Sequence, residues 1–174
     1  AQLPGETVVV TVMANLGFRK AMAAHGIALI ETDVGDRYVL EEMERGGWAL
    51  GGEQSGHIIF GDLATTGDGL LTGLQVLDVM VRTGRSLADL AAVMVRLPQV
   101  LRNVPVAARA ASLPGWQDLQ VAIKSVASDL GERGRVLVRP SGTEAVVRVM
   151  VEAVTAEEAE GACEVLCAAV AQSL

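Results

Sequence analysis

The chain has 174 residues, of which 51% are hydrophobic and 20% charged, and carries a formal net charge of −7. That balance fits a folded chain with a sizeable core and argues against disorder. With 3% aromatic residues and an acidic balance, a stacking platform or basic groove for nucleic acid is also disfavoured. No apolar run reaches the ~18 residues that cross a bilayer, and the opening "AQLPGET" lacks the basic start and apolar middle of a signal peptide. A cytoplasmic protein with no membrane partner is the expectation. The chain begins at Ala1 rather than Met, which reads as part of a longer polypeptide. Its two cysteines, Cys163 and Cys167, stand four apart in an apolar-periodic segment and read as core residues in a reducing compartment, not as metal ligands.

In chain order, "TVVVTVM" is a β-branched strand, and "GFRKAMAAHG" is a helix closed by Gly26. "IALIETDV" and "DRYVLEEMERGG" repeat the pair, with Asp36 as the expected helix cap. "WALGG" and "HIIF" are strands flanking a polar loop. Alternation of this kind predicts an α/β layer fold with parallel neighbours. After "TTGDG" the pattern turns helical: "LLTGLQVLDVMVRTG" is expected to be capped by Asp68, and "SLADLAAVMVRL" by Ser86 with Asp89 three residues on. Pro98, Pro105 and Pro114 forbid a continuous helix in the next stretch, whose first part reads as linker and strand. Then come helix "WQDLQVAIKSVASDLG", strands "RVLVRP" and "AVVRVMVEAV", and a last helix opened by a Thr155/Glu158 capping box. The expected domains are 1–97, α/β, and 98–174, a smaller α+β domain.

Two loops carry chemistry. In "GGEQSGHIIF", Glu53 can accept hydrogen bonds from neighbouring sugar hydroxyls, Ser55 can donate or accept beside it, and His57 can shuttle a proton near neutral pH. The same residues would also serve as a self-capped turn. In "RPSGTE", Arg139 offers a planar fork to phosphate, Ser141 and Thr143 offer hydroxyls, and Gly142 permits a positive φ that would turn backbone N–H groups inward. Residues 133–139 hold three arginines, which reads as a local positive patch; a plain hairpin turn is the competing reading. A third stretch, "TDVGDRY", places Gly35 and Asp36 where a strand turns into a helix.

"VTVMANLGFRKAM", "VGDRYVLEEM", "LGGEQSGHIIF", "TTGDGLLTGLQVLDVM" and "RVLVRPSGTEAVVRVMVEA" follow one another in an order that resembles the bacterial phosphoglucosamine mutases of the α-D-phosphohexomutase superfamily. The resemblance covers nearly the whole chain but only the third and fourth of that family's four domains. It implies a three-layer α/β domain followed by a small α+β domain of TATA-box-binding-protein-like form. It implies that Glu53 and Ser55, with Gly35 and Asp36, bind the sugar, and that Arg139, Ser141, Gly142 and Thr143 bind its phosphate. It leaves His57 as the candidate general base. The implied reaction interconverts glucosamine 6-phosphate and glucosamine 1-phosphate. Mg2+ and a phosphoserine, working through glucosamine 1,6-bisphosphate, belong to N-terminal domains whose motifs do not occur here, so this chain is expected to hold no cofactor or metal and to be inactive alone. Phosphomannose or phosphoglucose mutases and a non-enzymatic anion-binding module are the alternatives. Ala145 stands where the family usually has Pro.

Overall fold

A computed structural model describes residues 3–106, 115–142 and 144–173. The chain divides into two compact units, Ala1–Arg96 and Leu97–Leu174. Among the described residues, no helix is long and apolar enough to cross a membrane.

The first unit is an α/β/α sandwich. After a 3-10 turn at Pro4–Glu6 come β1 (Thr7–Thr11), α1 (Leu16–Ala24), β2 (Ala28–Thr32), α2 (Asp36–Gly46), β3 (Leu50–Gly52) and β4 (Ile58–Phe60). The sheet order is β2-β1-β3-β4, with β1 parallel to β2 and β3 and only β4 antiparallel. β1 is buried along its whole length because both of its faces are covered. Val9 faces a cluster with Val39 and Met43 of α2 and Ile59, while Val8 and Val10 pack with Ala14, Phe18 and Leu29.

Close packing of α2 depends on a glycine in β3. A Cβ on Gly51 would stand 2.6 Å from Met43 Sδ, 2.7 Å from Val39 Cγ1 and 3.0 Å from the Val9 carbonyl oxygen. Gly51→Ala is therefore expected to destabilise the chain by about 1–3 kcal/mol, the usual effect of overpacking, as read from the urea midpoint.

α3 (Gly69–Thr83) is capped by Asp68, whose Oδ1 accepts the Leu70 and Leu71 amides at 2.8 and 3.0 Å. Ser86 and Asp89 close a reciprocal capping box on α4 (Leu87–Ala91), and the Ser86 hydroxyl and amide hold the Asp89 carboxyl below its usual range. α4 is much shorter than the apolar periodicity through Leu97 predicts. Beyond Ala92 the chain unwinds and lays its backbone on α1: the Val95 carbonyl oxygen lies 1.9 Å from where a Cβ on Gly17 would be.

The second unit is α+β: β5 (Gln99–Pro105), α5 (Trp116–Leu130), a 3-10 turn at Gly131–Arg133, β6 (Gly134–Pro140), β7 (Val146–Ala153) and α6 (Ala156–Ser173). The sheet is antiparallel in the order β5-β7-β6. Val147, Val149, Val151 and Ala153 of β7 face the helices and form the core with Leu119, Ala159, Cys163, Leu166 and Val170. Each such burial contributes on the order of 1–3 kcal/mol. Burial, with Cys167 beside it, pushes the Cys163 thiol up to about 12, so it packs as a protonated core group and not as a nucleophile. The alternate residues of β7 lie on the other face in three cross-strand rows: Gln99–Glu152–Arg135, Leu101–Met150–Leu137 and Asn103–Arg148–Arg139.

Candidate functional site

In the first unit the site is built where parallel strands end. The loop after β2 reaches Gly35, which precedes α2 with φ of 138°, and the loop after β3 carries Glu53, Ser55 and His57. The structure joins these two sequence-distant loops by one bond: the Gly35 N–H donates to Glu53 Oε1 at 2.9 Å. Glu53 Oε2 lies 3.3 Å from Ser55 Oγ, which in turn lies 3.1 Å from His57 Nδ1. An ionised carboxylate only accepts, so when the Ser55 hydroxyl donates to Glu53, the imidazole Nδ1–H donates to Ser55 and Nε2 keeps its lone pair. The hairpin itself is closed by the Glu53 amide on the His57 carbonyl at 3.0 Å and the Gly56 amide on the Glu53 carbonyl at 3.1 Å. Glu53 is half-buried, whereas Ser55 and His57 are exposed. Glu53 is thus held in place on both oxygens while the rest of the loop faces solvent.

Asp36 requires a correction. The cap position of α2 is Gly35, and Asp36 is the first helical residue; it is exposed, and its Oδ1 accepts the neighbouring Arg37 amide at 2.8 Å. The reason is that Gly35 adopts a backbone conformation closed to other residues, which starts the helix one position earlier than a cap at Asp36 would. The "TTGDG" loop also belongs to this region, a feature that sequence reasoning missed. A Cβ on Gly67 would stand 2.9 Å from His57 Cβ, so this glycine lets the loop lie directly against the histidine.

In the second unit, Arg139 lies near the end of β6 opposite Arg148 of β7, and Asn103 of β5 completes the row. Two arginines side by side repel unless an anion or acid answers them. Glu144 Oε2 takes one Arg148 Nη2 at 3.1 Å, while Arg148 Nε is buried with no hydrogen-bond partner among the described residues. Ser141 is buried; its amide continues the ladder to the Val146 carbonyl at 2.9 Å, and its Oγ accepts the Glu144 amide at 3.2 Å.

Two expectations for this loop change. Gly142 is exposed but does not take the left-handed conformation, because the turn is drawn together by Ser141 and Glu144 instead. The positive patch at residues 133–139 is largely neutralised: Arg133 pairs with Glu158 at 3.2 Å, and Arg135 pairs with buried Glu152 at 2.6 Å. The cation beside Arg139 is Arg148, a residue that sequence reasoning read only as part of a strand. Thr143 lies outside the described residues. Ala145 accepts the Val106 amide on its carbonyl at 3.0 Å, which ties the far side of the turn to the end of β5. Among the described residues, no three His, Cys, Asp or Glu side chains converge as a metal site.

Comparison with known proteins places this geometry. Residues 1–97 match the family model described as phosphoglucomutase/phosphomannomutase, alpha/beta/alpha domain III, and residues 101–169 match that of the same family's C-terminal domain. The chain is 55% identical over 159 residues to a phosphoglucosamine mutase from Nocardia farcinica, covering 91% of this chain and 34% of that protein. It is also 55% identical over 172 residues to the phosphoglucosamine mutase of Streptomyces avermitilis, covering 99% and 38%. It therefore spans only about a third of the length of these relatives. Among solved structures, the N-acetylphosphoglucosamine mutase of Aspergillus fumigatus shares the fold with a TM-score of 0.83 at 24% identity, over 98% of this chain and 39% of that one. The chain belongs to the phosphoglucomutase/phosphomannomutase family, of which it carries domain III and the C-terminal domain.

Proposed function

We propose that this chain is the C-terminal, substrate-binding part of a cytoplasmic phosphoglucosamine mutase, which interconverts glucosamine 6-phosphate and glucosamine 1-phosphate. In this reading residues 1–97 hold the sugar and residues 98–174 hold its phosphate. The observation that carries it is the Glu53 carboxylate, fixed by the Gly35 amide at 2.9 Å and flanked by the Ser55 hydroxyl at 3.3 Å. Each carboxylate oxygen has about two acceptor sites, so one internal bond apiece leaves capacity for two adjacent sugar hydroxyls. Gly35 supports this geometry through its backbone, with Asp36 next to it at the mouth of the loop. Arg139 and Arg148, with Ser141 and Gly142, supply the charge and donors for a phosphate dianion, and Thr143 is assigned to the same site from the sequence.

A mutase must accept its substrate in two orientations, with either end of the sugar toward the reacting centre. A phosphate clamp that grips the group staying in place, with acceptors that recognise hydroxyls from either direction, meets that need. His57 is assigned the proton transfer at the sugar, with Ser55 and Glu53 holding its Nδ1 side so that Nε2 remains the basic nitrogen. The described residues do not fit a Mg2+ site, so in this reading the metal and the phosphoserine are held by polypeptide outside this chain.

The 174-residue chain alone is expected to show no mutase turnover. The full-length protein is expected to prefer glucosamine phosphate over glucose and mannose phosphates, the sugars named in the family's own description. Turnover of the three sugar phosphates, compared in parallel, checks both statements. Glu53→Gln in the full-length protein is expected to lower kcat/KM for the sugar phosphate by about tenfold or more, the loss of one charge-assisted hydrogen bond. A Glu53→Gln enzyme that keeps parental kcat/KM would remove Glu53 from the reading.

A further inference from the structure

The helix that follows the "TTGDG" loop has an apolar side that no other described element of the first unit covers. Leu70, Leu74, Leu77 and Val81 of α3 recur at intervals of four, three and four residues, which places them on one face. They are 77%, 56%, 55% and 82% exposed, and α3 has no buried residue at all. A 15-residue helix draws most of its stability from packing of such a face, since helices of this length are marginal on their own. The opposite side of the helix carries Val76, Val79 and Met80, which are already partly buried, and the Asp78–Arg82 ion pair at 2.7 Å flanks the stripe, so the Leu/Val side is the apolar face left uncovered.

We propose that this stripe is the seat of an apolar segment, a helix or strand, from polypeptide that precedes this chain in the longer protein. Relatives at 55% identity are longer than this chain by more than one and a half times its length, and the matched segments are a third and a last domain, which puts the remainder ahead of residue 1. A second copy of the chain is a poorer occupant. A helix of this length offers a strip about 22 Å long and about 10 Å wide, far short of the ~800 Å² per partner of a stable interface. A covalently attached segment needs no such area, because tethering supplies a high effective concentration. The inference stands apart from the sugar-phosphate reading, since it concerns a face that carries none of the proposed ligands.

The test compares amide hydrogen exchange along α3 in the 174-residue chain and in the same chain extended upstream by its own coding sequence. Exchange of the α3 amides is expected to slow by on the order of tenfold or more in the extended protein. Leu74→Gln and Leu77→Gln are expected to leave the thermal midpoint of the 174-residue chain within about 1 °C of the parent and to lower that of the extended protein by about 3 °C or more. If an extended variant fails to fold, exchange in the two parent proteins decides alone. Equal exchange in both lengths overturns the proposal. So does α3 protection in the 174-residue chain that grows with its concentration and disappears in Leu74→Gln, which would assign the stripe to a second copy.

Discussion

Arg139→Ala is expected to weaken binding of inorganic phosphate to the 174-residue chain by about 1.5–3 kcal/mol, the scale of a hydrogen bond to a charged group, or roughly tenfold to 150-fold in Kd. The donors of this loop lie within one turn and one cross-strand row, so they assemble without help from the first unit. Arg148 sits directly opposite, and Glu144 answers its guanidinium from the adjoining turn. An NMR titration reads the result: the Ser141 and Gly142 amides should move in the parent and barely move in Arg139→Ala. Glu53→Gln, made in the other unit, should titrate with phosphate like the parent. A parent whose loop amides stay still, or an Arg139→Ala chain that titrates normally, sinks the assignment.

Glu152→Ala is expected to cost the chain about 3–5 kcal/mol of stability, the range for stripping one partner from a buried ion pair. Glu152 is fully buried in the central strand, with Oε2 at 2.6 Å from Arg135 Nε and Oε1 at 2.7 Å from Gln99 Nε2. Removing the carboxylate leaves a mostly buried guanidinium and an amide donor facing an apolar methyl. Glu152→Gln retains the shape and one acceptor, so its cost should be clearly smaller. Urea unfolding of the three chains, followed by the signal of the second unit, measures the series. A Glu152→Ala midpoint equal to the parent would show that water or a neighbour replaces the carboxylate at no cost.

Most secondary structure was legible because its causes are local. β-Branched runs marked β1 and β7, and Asp68 and Ser86 marked helix starts at the residues where their side chains do cap. Thr155 likewise accepts the Glu158 amide at 3.1 Å. What escaped was long-range. Counting arginines along residues 133–139 could not show that Glu152 and Glu158 answer two of them from 17 and 25 positions away. The contact of Gly67 with His57, and the pairing of Arg148 with Arg139, exist only once loops and strands are set side by side. Glu53 and Gly35 were both singled out from the sequence, yet the bond that makes them one site crosses 18 positions. Gly142 permits a left-handed residue that the turn does not use, since a glycine licenses that conformation without requiring it.

The three-stranded sheet of the second unit has a consequence for how this protein avoids meeting itself. β7 is paired on both sides, so β5 and β6 are the outer strands of this sheet, and an outer strand invites pairing with strands from other molecules. Both borders stop at proline, Pro105 against Val146 and Pro140 against Val147, at the end of the sheet where the RPSGTE turn opens. Neither proline has an N–H to offer an incoming strand. The two residues thus act as a fence beside the RPSGTE turn, so that the end of the sheet to which the proposed function brings a small ligand is also the end least able to recruit a foreign backbone.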